Sequence, residues 1–393
     1  MTALLLNKKH PIDEIGPWAR GSEQDIAMVC GPKVEITEDA RAAGWQHLEL
    51  REDYTRSDWL VPLCRKLAVD KIIAIAESDI IRAATARELL GLPGQPVASA
   101  LAYRDKYVMK SIAATAGIPT APMTLVRSPE DVRRFAGRHG YPVIVKPRTS
   151  AACQGVVVVD KESDLSELAD ELEHVAEAWI DVPMFHVDGL MADGQVLHST
   201  PARYASPALP QTLQALPSVS AMLDPATDGR VELLRDQAAR VVRALPGTPD
   251  VTPFHAEFFL GDGGVPILCE IACRPGNPTL AEVAERAYGY NTYRAAIINQ
   301  ASGVPFVPPT GPPAGLFGWA FFLPRTGVLV AVPPTRPAEL VWFDDRTEVG
   351  KAYQAPTAPL DHIAKGIYRV DPARVEESLY SIVSWWEDGV VWQ

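Results

Sequence analysis

Two glutamates stand where a cation could bridge them. His255-Ala256-Glu257-Phe258-Phe259 and Leu268-Cys269-Glu270-Ile271-Ala272 are short apolar runs on either side of Gly261-Asp262-Gly263-Gly264, the pattern of two strands joined by a glycine turn. Centring that turn between Gly263 and Gly264 sets Glu257 opposite Glu270 on one face of the ribbon, with Cβ atoms about 5 Å apart. Like charges across a ladder repel, so a shared proton or a cation has to offset them. Hard divalent ions such as Mg²⁺ take carboxylate oxygens and complete their shell with water and substrate phosphate. The same alternation puts His255 and Phe259 beside Glu257, and Leu268 and Ala272 beside Glu270. An exposed hairpin with two surface glutamates is the competing reading. Arg274, in Arg274-Pro275-Gly276 just past the second run, favours the cation: it sets a fixed positive charge where a developing anion would need one.

Two lysines add to this. Lys106 follows Arg104-Asp105 near a helix start, and Lys146 ends the apolar strand Tyr141-Pro142-Val143-Ile144-Val145-Lys146. Lys146 also precedes Thr149-Ser150-Ala151-Ala152-Cys153-Gln154-Gly155, a loop of small and polar residues whose backbone N–H groups can approach phosphate oxygens. The loop is not G-x-x-x-x-G-K-[ST], and a plain hairpin connection would look the same. Glu177-Ala178-Trp179-Ile180 is a carboxylate followed by an extended apolar segment. It reads either as a hinge whose backbone pairs with a flat donor–acceptor partner such as adenine, or as a core strand with one exposed acid. His186 and His255 are candidate proton acceptors or structural histidines.

Residues 1 to about 98 alternate short strands and helices, which predicts a parallel α/β unit. Asp25–Cys30 and Lys71–Ala76 are its strands, and Ile80–Leu90 is a helix that stops at Gly91. No G-x-G-x-x-G follows either strand, so a dinucleotide site is unsupported. Ala102–Ala116 predicts a further helix, and Ser128-Pro129-Glu130-Asp131 a helix start with a capping serine. Beyond residue 184 the pattern predicts strands around the glycine turn, one long helix from about Thr279 to Ala301, proline-rich short strands over 305–337, and a final helix Ala373–Trp386.

Taken in this order, the motifs resemble the ATP-grasp superfamily of carboxylate–amine ligases over nearly the whole chain. Glu88-Leu89-Leu90-Gly91-Leu92-Pro93-Gly94 closes what looks like its Rossmann-like first domain. Arg104-Asp105-Lys106, Met109-Lys110 and Ala116 to Pro122 resemble the entry to the ATP site, Tyr141 to Pro147 the second ATP lysine, Glu177 to Ile180 the adenine hinge, and His255-Ala256-Glu257 with Glu270 to Gly276 the metal and catalytic strands.

The resemblance implies an α/β and α+β multidomain fold. A Rossmann-like domain would cover 1–98, a small central α+β lid 99–183, and a larger α+β domain with a β-rich extension 184–393. It implies two Mg²⁺ ions, replaceable by Mn²⁺, on Glu257 and Glu270. ATP phosphates would lie on Lys106 and Lys146 under the loop around Ser150 and Gly155. Adenine would lie against Glu177, Trp179 and Ile180 above a floor that includes Leu268, and Arg274 would steady the acyl phosphate. The sequence departs from the usual pattern twice. Ala272 stands where many members carry a metal-ligating asparagine; Glu-x-Ala-x-Arg looks like the branch that joins amino acids into dipeptides. Val182-Pro183-Met184 replaces the usual glycine and ribose-binding glutamate, which either passes the ribose contact to Asp188 or removes it.

The implied activity is ATP-dependent, ADP-forming activation of a carboxylate and its transfer to an amine. Transfer to a carrier thiol or hydroxyl, and nucleotide binding without turnover, are the alternatives. Composition agrees with a small-molecule enzyme. A net charge of −12 over 393 residues argues against a nucleic-acid surface. Five cysteines with no C-x-x-C pair suggest reduced thiols, and no stretch is long and apolar enough for a signal peptide or a membrane span. We therefore expect a cytoplasmic protein, with a homodimer as the default assembly.

Overall fold

A computed structural model describes residues 2–20, 25–42, 45–151, 153–169, 171, 173–207, 214–356 and 361–393; Ala152 of the small-residue loop lies outside them. Strands β1 (Thr2–Asn7), β2 (Asp25–Cys30), β3 (His47–Leu50) and β4 (Val69–Ala74) form a parallel sheet in the order β3-β2-β1-β4. β1 is buried along its whole length, as befits a strand covered on both faces. β4 runs through a short turn, Glu77–Asp79, into the helix Ile80–Leu90, which Gly91 closes in the left-handed conformation (φ 66°). Glu77 thus projects from the carboxyl end of a parallel strand, where open α/β sheets carry their ligands.

A second sheet, antiparallel in the order β5-β8-β6-β7, contains β5 (Met123–Val126), β6 (Val143–Pro147), β7 (Val157–Val159) and β8 (His174–Ala178). The helix Pro129–His139 packs on it through Val132 and Phe135 and starts in a reciprocal cap between Ser128 and Asp131.

The remaining sheet has eight strands: β9 (Met184–Ala192), β10 (Gln195–Tyr204), β11 (Ser218–Met222), β12 (Thr252–Phe259), β13 (Ile267–Ala272), β14 (Leu316–Phe322), β16 (Leu340–Asp345) and β18 (Ala364–Val370), in the order β13-β12-β9-β10-β11-β14-β18-β16. A small sheet of β15 (Gly327–Ala331), β17 (Ala352–Tyr353) and β19 (Val391–Trp392) lies beside it. Under one face of the large sheet, Ala256, Phe258 and Ile271 pack with Met109 and Ala113 of the helix Lys106–Thr115 and with Leu234 and Ala238 of the helix Arg230–Ala244.

Of two predicted helices, the one expected from Ala102 begins only at Lys106, after a separate helix, and the other is a pair. Val97–Ala102 ends before Asp105, whose side chain accepts from the amides of Tyr107 and Val108 and starts Lys106–Thr115. The expected run from Thr279 to Ala301 is Pro278–Tyr288 and Thr292–Ser302. Gly289 closes the first in the left-handed conformation and Asn291 caps the second, so apolar spacing carried across the break hid a stop and a start. No helix among the described residues is long and apolar enough to cross a membrane.

Candidate active site

The β12–β13 ribbon pairs Glu257 with Glu270, the facing expected from the sequence, although beside the turn the register differs by one residue from that expectation and the bulge restores it. One residue further the register shifts: Phe258 pairs with Leu268, and Cys269 is the extra residue of a bulge. A one-residue slip turns every following side chain to the other face. Leu268, expected on the glutamate face as adenine floor, is instead fully buried on the opposite face beside Phe258 and Met109, and its amide donates to the Pro119 carbonyl oxygen (2.8 Å). Cys269 takes its place.

Glu257 and Glu270 line a broad cleft between the four-stranded sheet β5-β8-β6-β7 and the eight-stranded one. Lys106, Lys146, Ser150, Glu177, Trp179 and Ile180 line it too, as do Cys269 and Asp181. Lys106 Nζ lies 3.4 Å from Glu270 Oε2 and donates to the Ser150 carbonyl oxygen at 2.6 Å. The lysine thus ties the small-residue loop to the acidic pair. Gly155 is not part of this wall. It turns the loop at φ 71°, with Pro147 so close that a Cβ would meet its Cγ at 2.9 Å.

Glu177 Oε2 is held by two ammonium groups, Lys110 at 2.7 Å and Lys146 at 2.9 Å, while its Oε1 is buried without a partner. The sequence places Lys110 only within the stretch that resembles the entry to the ATP site, without a role of its own. Its place one helical turn after Lys106 was the available signal. Burial opposes the charged form of all three groups. Glu177 nevertheless stays below the usual carboxylate range because the lysines outweigh burial. Lys146 is raised by Glu177, Cys269 and Glu270, whereas Lys110 is lowered, since burial and its neighbour Lys146 prevail there.

Burial alone would raise the Glu270 carboxyl, but Lys106, Lys146 and Arg274 hold it at about 2. The pair therefore presents carboxylates to a cavity rimmed by ammonium groups, a donor set suited to a hard divalent cation that shares its shell with phosphate oxygens. Arg274 ion-pairs with Glu77 at the end of the parallel sheet and donates to the carbonyl oxygens of Pro275 (2.7 Å) and Gly276 (2.9 Å). Glu77 also takes Arg104, so one carboxylate from the first sheet orients both arginines. No sequence signal marked Glu77.

Asp188, expected at the ribose, does not line this cavity. It pairs with His255 on β12 and Thr200 on β10, and its oxygens are occupied: Oδ2 lies 2.5 Å from His186 Nδ1 and Oδ1 2.8 Å from His255 Nδ1. His186 Nε2 is 2.6 Å from Ser220 Oγ, and His255 Nε2 is 3.3 Å from Glu257 Oε1. The buried Tyr204 hydroxyl donates to the same Glu257 oxygen at 3.0 Å. Burial would lower the His255 imidazole, but Asp188 and Glu257 raise it to about 10, so it is a fixed cation rather than a proton acceptor at neutral pH.

Residues 105–194, which contain both lysines, the loop and Glu177, match the family described as carbamoyl-phosphate synthase L chain, ATP binding domain. Over their full lengths the chain superposes on the L-amino acid ligase from Bacillus licheniformis with a TM-score of 0.76, covering 100% of this chain and 99% of that one at 18% identity. The chain has the ATP-grasp fold. This ATP-grasp chain is also similar to the biotin carboxylase domain of Hydrogenobacter thermophilus 2-oxoglutarate carboxylase, described in complex with MgADP (TM-score 0.67, 15% identity, 99% of this chain and 91% of that one). In sequence it is 25% identical over 239 residues to the L-arginine-specific L-amino acid ligase of Bacillus subtilis. That alignment takes in 58% of this chain, which spans only 57% of the relative's length.

Proposed function

We propose that this ATP-grasp chain is an ADP-forming ligase that activates the carboxylate of an amino acid as an acyl phosphate and passes it to an amine. The observation that carries this reading is the facing pair Glu257 and Glu270 in one cavity with Lys106 and Lys146, beside the hinge residues Trp179 and Ile180. The likeness in fold to an L-amino acid ligase and the sequence match to another support it.

In this reading Glu257 and Glu270 hold Mg²⁺, which when bound neutralises charge on the transferring phosphoryl oxygens. Lys146, steered by Glu177, and Lys106, which carries the loop at Ser150, bind ATP phosphates. Asp181, which follows the hinge and lines the cavity, takes the ribose hydroxyls in place of Asp188. The substrate carboxylate attacks the γ-phosphoryl group, and catalysis at that step is positioning and electrostatics. Arg274, oriented by Glu77, stabilises the oxyanion that forms when the amine attacks the acyl phosphate and phosphate leaves.

A phosphate-release screen over paired L-amino acids with ATP and Mg²⁺ tests the reading. Wild type is expected to release phosphate, together with an amide product, for at least one pair. Glu270→Ala is expected to release none above background. Equal release by both proteins for every pair would contradict the assignment.

A further inference from the structure

A second, smaller cavity opens beside the turn that follows Arg274, with Pro275 and Gly276 in its wall. Most of its lining is apolar: Met222, Phe254, Leu280, Val283 and Phe317. Gly276 keeps the space next to the turn free, since a Cβ there would meet Leu280 Cδ1 at 2.4 Å and Asp188 Oδ1 at 2.8 Å.

The polar groups in the wall fall into two sets. His186, Asp188 and Ser220 are committed to one another and to His255. Thr200 Oγ1 and Trp319 Nε1, in contrast, are buried with no hydrogen-bond partner, their residues 8% and 4% exposed. Leaving a buried donor unpaired is costly, and an indole N–H can only donate. What enters the cavity must therefore bring an acceptor. Guanidinium and ammonium groups have none. A carboxylate would meet mostly apolar walls, which disfavour burying a further charge.

We propose that this cavity receives the side chain of the amino acid being activated, and that Trp319 and Thr200 select an uncharged, largely apolar side chain carrying one hydrogen-bond acceptor. The inference rests on the ligase reading above for the identity of the guest. Its place follows from the wall: the cavity begins at Pro275, the residue after Arg274, and the chain Asp188–His255–Glu257 links it to the acidic pair.

Isosteric amino acids that differ by one acceptor atom give the test. Calorimetry with full-length protein, Mg²⁺ and a non-hydrolysable ATP analogue compares O-methyl-L-serine with L-norvaline, O-methyl-L-homoserine with L-norleucine, and both pairs with L-arginine. At least one ether is expected to bind roughly ten-fold more tightly than its hydrocarbon partner, and arginine more weakly than either. Trp319→Phe keeps an aromatic side chain and removes the N–H; it is expected to abolish that preference by weakening the ether. Thr200→Val, on another strand, is expected to reduce it and serves as the check if the tryptophan variant does not fold. Equal preferences in wild type and variants, arginine binding as tightly as the ethers, or no binding by any of the five amino acids would overturn the proposal. A preference that persists without phosphate release would leave the cavity assignment standing and reject the ligase reading.

Discussion

Oε1 and Oε2 of Glu257 meet different surroundings. Oε1 takes the Tyr204 hydroxyl and lies next to His255, which leaves Oε2 for a cation. Groups that orient a metal ligand contribute about 10–100-fold to metal affinity or activity when removed. Tyr204→Phe preserves the ring and deletes the donor. We expect the Mg²⁺ concentration for half-maximal phosphate release to rise about ten-fold, with kcat at saturating Mg²⁺ within about two-fold of wild type. An unchanged Mg²⁺ dependence would show that the hydroxyl does not orient the ligand. Tyr204 was invisible in the sequence, because it lies 53 residues from Glu257 and the two meet only through strand pairing.

Among elements, the turn from β13 into the helix Pro278–Tyr288 does the most positioning. Within four residues it supplies Arg274, the tight Gly276 and the cap Asn277, whose side chain accepts from the Leu280 amide. Asn277→Ala removes only the cap and is expected to cost about 1 kcal/mol. Gly276→Ala has to displace Leu280, Asp188 and His255 together. Its melting temperature is expected to fall further than that of Asn277→Ala, and its affinity for the amino acid to fall as well; thermal melts of the two variants decide the order. The bulge at Cys269 belongs to this scale too. Strict alternation predicts the Glu257–Glu270 pair, but nothing in Leu268-Cys269-Glu270 announces an extra residue, so Leu268 was assigned to the wrong face.

Across the whole molecule, charged groups from different elements meet at two carboxylates. Glu77 joins the first sheet to Arg104 and Arg274, and Glu177 joins β8 to Lys146 on β6 and Lys110 on the helix that underlies the large sheet. Removing one partner of a buried ion pair typically costs 3–5 kcal/mol, because the other charge is left uncompensated. Glu177→Gln leaves two lysines facing a neutral amide and is expected to destabilise the ligand-free protein by about that much at pH 7. The Glu177 carboxyl is depressed in the folded state, since Lys110 and Lys146 outweigh burial. Its contribution is therefore present above the unfolded carboxylate value of about 4.3 and is lost as pH falls through the lower folded value. Denaturation of wild type and Glu177→Gln from pH 7 down to pH 3 should show the gap narrowing below about pH 4; a constant gap would mean that Glu177 does not titrate with its lysines.

Local pattern was enough to read the parallel α/β start, the Ser128 cap, the facing of Glu257 and Glu270, and the order of motifs along the chain. Each depends on neighbours within a turn, a strand or a two-strand ribbon, where side-chain period and turn position determine direction. Tertiary structure decided that Glu177 serves two lysines, that Asp188 belongs to a pair of histidines, that Cys269 displaces Leu268 from the cavity, and that Thr200 and Trp319 are left unpaired around a separate one. Apart from His186, two residues from Asp188 on the same strand, those partners come from strands and helices tens to more than a hundred residues apart. Their meeting is set by strand order, one bulge and burial, none of which leaves a trace in local spacing.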